Sequence, residues 1–110
     1  MSTRRNALVW LSGEVKTPPF SKAARLEAGS LLRDLEEGVS LALPHSRPMP
    51  SVGPRCHELR IPDEHATWRI VYRIDPGLIL IVEVFSKKSR QTPKHVIDAC
   101  KKRLKAFDAA

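Results

Sequence analysis

Apolar residues recur along this chain with two different periods. Between Arg55 and Lys88 the period is two. Trp68, Ile70, Tyr72 and Ile74 alternate there with Arg69, Val71, Arg73 and Asp75. Successive side chains on a strand point to opposite faces, so one face of this segment is apolar and the other carries arginines. The pattern predicts consecutive strands over Arg55–Ile61, Trp68–Asp75 and Leu78–Ser86. Asp75-Pro76-Gly77 is a compact turn signal between the last two, and the polar Pro62–Thr67 joins the first two. A short apolar run, Ala7–Leu11, predicts a further strand that joins the sheet.

Elsewhere the period is helical. Ala24, Ala28, Leu31 and Leu35, helped by Leu32, follow the 4-3-4 spacing of one helical face. They predict a helix from a Ser21 cap to about Glu37, with Gly38 just past its end. Ile97, Cys100, Leu104 and Phe107 predict a second helix, with Thr92 as its cap and Pro93 as its first residue. Between the first helix and the strands, Val39–Pro54 contains Pro44, Pro48, Pro50 and Pro54. Prolines at this density forbid a helix or a central strand, so a long ordered loop around the sheet edge is expected. Gly13 and Pro18-Pro19 bracket a connector, and Met1–Asn6 is polar and expected to be flexible. The element order is β-α-β-β-β-α. It predicts a single α+β domain over residues 1–110, with an antiparallel sheet of about four strands and both helices packed on one face.

Composition changes this picture in two ways. The 110 residues suit one domain with one modest core. The charge balance is 19 basic residues against 12 acidic ones, so 19 − 12 = +7. A compact domain this basic points to a nucleic-acid, anionic-surface or acidic-protein partner, since the charge is also clustered. The apolar run after Arg4 and Arg5 is shorter than the roughly 7–15 residues of a secretory leader's core, and no stretch reads as a membrane span. A cytoplasmic protein is expected. Cys56 and Cys100 lack metal-ligand spacing and are expected to be reduced, packed thiols.

Sorting the strands by face gathers the charge. His57, Leu59 and Ile61 belong to the covered side of the first strand, which leaves Glu58 and Arg60 beside Arg69 and Arg73 on an open face. In the last strand Leu80, Val82 and Val84 form the natural core set. Ile79, Ile81, Glu83, Phe85 and Lys87 then fall on the other side, where Ile79 and Ile81 spoil a clean alternation. Arginines and a lysine around one surface hold phosphates, and Phe85 can stack a base. Such a cluster also suits cleavage of RNA by its own 2′-OH. That reaction needs a base for the hydroxyl, positive charge for the phosphorane and an acid for the leaving oxygen. Metal-dependent nucleases need several converging carboxylates. Glu58 and Glu83 have arginines nearby and read as orienting partners, so no metal or cofactor is expected. Arginine is a poor base because its pKa lies above ~12. Lys87 or Lys88 is the better proton-transfer candidate, if neighbouring positive charge lowers its pKa. His57 reads as a packed residue, and His45, Arg47 and His95 as solvated ones. The bland alternative is cross-strand Arg–Glu decoration of an exposed sheet.

CHELRI (56–61), WRIVYRID (68–75), VEVFSKKSRQTP (82–93) and KKRLKAF (101–107) resemble, in order and spacing, the HigB-like, phage-derived branch of the RelE/ParE toxin superfamily. The resemblance runs from GEVKTPPF (13–20) through Phe107. It implies a small RelE-like toxin of a type II toxin–antitoxin system, cutting mRNA on the ribosome without a metal. It implies Arg60, Arg69, Arg73, Lys87 and Lys88 as catalytic residues, and beside them Phe85 on the charged face and the basic Arg90, Lys94 and Lys101 read as RNA-binding. It also implies an acidic or helix-turn-helix antitoxin, ribosome and mRNA as partners, and operator DNA reached through the antitoxin. Two rivals stay open: a ParE-like toxin that inhibits DNA gyrase without cutting RNA, and a non-enzymatic nucleic-acid-binding domain.

Overall fold

The structure, a computed structural model, describes residues 6–11, 20–87 and 91–110, and of Lys87 the backbone alone. Its elements are β1 (Ala7–Trp10), α1 (Lys22–Glu36), β2 (Ser46–Pro48), β3 (Cys56–Pro62), β4 (Thr67–Asp75), β5 (Leu78–Lys87) and α2 (Lys94–Ala109). The strands form one open sheet in the order β1-β5-β4-β3-β2. Neighbours from β2 to β5 run antiparallel, and β1 lies parallel to β5. The α+β class agrees with the pattern along the chain. The sheet has five strands rather than about four. The additional one, β2, lies inside the proline-rich stretch, and Pro48 is tolerated because β2 is an edge.

The helices do not share a face, which corrects the expected arrangement. The α1 stripe of Ala24, Ala28, Leu31 and Leu35 packs on Leu59, Ile61, Ile70, Tyr72, Ile79 and Ile81. Val96, Cys100 and Leu104 of α2 pack on Cys56, Val71, Leu80 and Val82, together with Met49 and Val52. Ile70 and Tyr72 flank Val71 in sequence, so the two clusters lie on opposite sides of the sheet. The physical cause is in β5. Leu78–Val82 is apolar at every position, and a strand apolar in both phases needs cover on both faces.

A bulge then changes the phase of β5. Val71 opposes Glu83 while Tyr72 opposes Ile81, which leaves Val82 as an extra residue. Before the bulge, Leu80 and Val82 face α2. After it, Glu83 and Phe85 take that side, and Val84 joins Ile79 and Ile81 under α1. The broken alternation in the sequence is this bulge.

Local signals set the helix ends. Ser21 Oγ accepts the Ala24 N–H at 3.0 Å. At the other end of α1, Gly38 adopts φ 83°, Val39 N–H donates to Asp34 O at 2.9 Å and Gly38 N–H to Leu35 O at 3.1 Å. Asn6, expected at the end of a flexible leader, is held by that same terminus. Its backbone N–H reaches Glu36 O at 2.6 Å and its amide Nδ2 reaches Leu35 O at 3.0 Å. Thr92 does not cap α2. Pro93 occupies the cap position with extended ψ 144°, and the helix starts at Lys94. Among the described residues no helix is long and apolar enough to cross a membrane.

Candidate functional site

A row of side chains crosses the middle of the α2 face. Arg60 on β3 lies opposite Arg69 on β4, and Arg69 lies opposite Phe85 on β5. One step along, Thr67 opposes Lys87, so the Lys87 backbone adjoins the row. Like charges directly across a sheet repel. Glu58, two residues before Arg60, supplies the counter-charge. Its side chain is fully buried. Oε1 accepts from Arg69 Nη1 at 2.7 Å and from Arg47 Nε at 3.1 Å, and Oε2 accepts from Thr92 Oγ1 at 3.2 Å. One carboxylate thus ties β2, β4 and the approach to α2 together.

This face is therefore less open than alternation suggests. Arg69 is 4% exposed, Glu58 is sealed and Arg60 is half-buried. The balance is nevertheless cationic, since Glu58 answers to both Arg47 and Arg69. Arg60 Nε and Arg69 Nε are buried and find no hydrogen-bond acceptor among the described residues. A buried donor without an acceptor costs about 1–3 kcal/mol. An anion rich in oxygen, such as a phosphodiester, would satisfy both.

Arg73 shares the face but not the site. It lies four residues from Arg69 along β4, roughly 13 Å at strand spacing. Its Nε and Nη2 donate to the two oxygens of Asp75 at 2.9 and 2.8 Å. Its Nη1 and Nη2 donate to the two oxygens of Asp108 at 2.9 and 2.7 Å. These carboxylates, Asp108 first, raise the Arg73 pKa further, and Arg73 holds the Asp108 carboxyl below the usual range. Lys101 lies at this same distant end, and Lys94 is exposed at the start of α2. Lys88 and Arg90 lie outside the described residues, as does the Lys87 side chain. Glu83 is oriented by Arg103, whose Nη1 donates to Oε2 at 2.7 Å.

Other titratable groups fall away from the row. His57 stacks on Tyr72 on the α1 side, with ring centroids 5.4 Å apart, and burial lowers its pKa. The Tyr72 hydroxyl lies 2.6 Å from Ser46 Oγ, and burial raises its pKa. Cys56 and Cys100 are free and buried; burial pushes the Cys100 thiol up to about 12. Among the described residues no three His, Cys, Asp or Glu side chains gather as a metal-ligating group. Arg47 is the member of the site that alternation does not single out. Its strand is three residues long, too short to carry a period.

The fold and this face define a small basic α+β protein with a helix on each side of its sheet and an anion-seeking arginine pair. Residues 19–105 match the family model of Phage derived protein Gp49-like (DUF891), and the chain belongs to that family, which is part of the RelE/ParE-like toxin family of toxin–antitoxin systems. Membership implies an antitoxin partner. No curated protein matches the chain.

Proposed function

We propose that the chain is a HigB-like toxin of a type II pair that cuts mRNA on the ribosome without a metal ion. The observation that carries this reading is the Arg60–Arg69 pair, whose two buried Nε donors have no acceptor among the described residues. In this reading the pair takes the scissile phosphate and neutralises the phosphorane. Glu58 keeps Arg69 in place, as its 2.7 Å contact supports. Lys87 or Lys88 moves the proton, Phe85 stacks a base, and Arg90 and Lys94 follow the RNA backbone. Arg73 acts as a scaffold for this site, because its guanidinium is already engaged by two carboxylates. The protein then works in the cytoplasm, and reaches operator DNA through its antitoxin.

Induction in a bacterial host, followed by mapping of mRNA 5′ ends, tests this. New 5′ ends in translated messages are expected. Arg60→Ala should reduce them by about 10²-fold, in the range of one lost transition-state contact. Arg60 makes no ion pair among the described residues, so this variant should fold. Growth arrest with DNA damage and intact mRNA would instead favour a gyrase-directed toxin. Steeply salt-dependent RNA binding without growth arrest would favour a plain binding domain.

A further inference from the structure

A cleft of about 570 Å³ lies at the far end of the α2 face, away from the Arg60–Arg69 row. Its floor is apolar and includes Val52, Cys56 and Leu104. Its two banks are cationic. Lys101 and Lys105 sit one helical turn apart on α2, flanking Leu104, and Arg55 stands on the loop leading into β3. Both lysines are exposed, and neither makes an ion pair among the described residues. Arg55 is held in the left-handed region at φ 61°, a conformation that costs a side-chain-bearing residue of order 1–3 kcal/mol. Its carbonyl accepts the Ile74 N–H at 3.1 Å, and its Nη2 lies 3.3 Å from Asp75 Oδ1. Arg73 and Asp108 close one wall, already paired with each other.

We infer that this cleft docks an acidic, aliphatic segment of the antitoxin. Carboxylates of that segment meet Lys101 and Lys105 on one bank and Arg55 on the other. Aliphatic side chains between them cover Val52 and Leu104. RNA fits less well. Among the described residues none that lines the cleft is aromatic, so no base can stack there. Charge on both banks also speeds the encounter of a +7 toxin with an acidic partner. The inference rests on the antitoxin that family membership implies, and not on cleavage chemistry. Loss of the nuclease reading would leave it standing.

Fluorescence anisotropy with the full chain and a short labelled peptide of alternating Glu and Leu tests this docking. Lys101→Glu with Lys105→Glu should weaken peptide binding about tenfold, and Arg55→Gly about threefold. Glycine suits φ 61°, so Arg55→Gly removes the cation while keeping the fold, which a thermal melt checks. Lys22→Glu with Arg25→Glu, exposed on α1, alters net charge as much as the lysine pair and should change binding less than about twofold. Equal losses in the two double variants would overturn the site, as would a peptide that does not bind. A uridine oligonucleotide that binds with the same dependence on Lys101 and Lys105 would overturn it in favour of nucleic acid.

Discussion

Arg73 on β4 and Asp108 in the last turn of α2 meet through two hydrogen bonds, at 2.9 and 2.7 Å. The same guanidinium grips both oxygens of Asp75, so one buried cation fastens the end of a helix to the end of the central strand. Removing it leaves Asp75 with only the 3.3 Å contact to Arg55 and frees that helix end. Arg73→Ala should cost about 3 kcal/mol in urea unfolding, as for other broken buried pairs. Asp108→Asn should cost less, and its effect should concentrate in faster amide exchange over the last turn of α2. A neutral Arg73→Ala would show that helix packing alone holds the end.

The Glu58 cluster predicts an asymmetry. Glu58→Ala leaves Arg69 buried with no carboxylate, and should cost about 3 kcal/mol. Arg69→Ala leaves Glu58 still bonded to Arg47 and Thr92, and should cost about 1–2 kcal/mol. Denaturant unfolding of both variants and of the double variant measures the difference. Equal costs would count against Glu58 as the hub.

Acid should weaken the fold through identifiable carboxyls. Asp63 accepts the Ser21 N–H at 3.0 Å, the Glu64 N–H at 2.8 Å and the Trp68 indole N–H at 3.0 Å. These bonds, led by Ser21, hold its pKa well below the usual carboxylate range, and Arg73 depresses Asp108 likewise. A carboxyl with a depressed folded-state pKa contributes stability above its unfolded value, and that stability is lost as pH falls through the folded value. Melting temperature should therefore stay level near neutral pH and drop below about pH 4. Asp63→Asn should flatten that drop, which thermal melts across pH would read. An unchanged acid limb would remove Asp63 from the account.

How far the fold was legible depends on the range of each signal. The α1 helix was readable in full, because its stripe, its Ser21 cap and its Gly38 exit are all local. The two-sided arrangement was not. An amphipathic helix fits either face of a sheet, and β5 is apolar in both phases. Thr92 before Pro93 is a good cap signal, yet its hydroxyl is drawn to Glu58, a contact across 34 residues. The candidate site shows the same divide. Alternation placed Arg60, Arg69 and Phe85 on one side of their strands, where cross-strand register brings them together. It also placed Arg73 there, but nothing periodic announces a partner 35 residues away. Burial of Arg69 follows from what covers the face, which no single strand encodes.

The extra residue at Val82 makes β5 behave like a reading frame. Its two halves obey opposite parity, so counting matters there as much as chemistry. Exchanging Val82 for isoleucine keeps the count. Deleting it would restore plain alternation, with Ile81 still opposite Tyr72 and Glu83 still opposite Val71, so both halves would keep their faces. A codon lost two places on, at Val84, would instead put Phe85 beneath α1 and away from Arg69, and should do more harm than most single replacements.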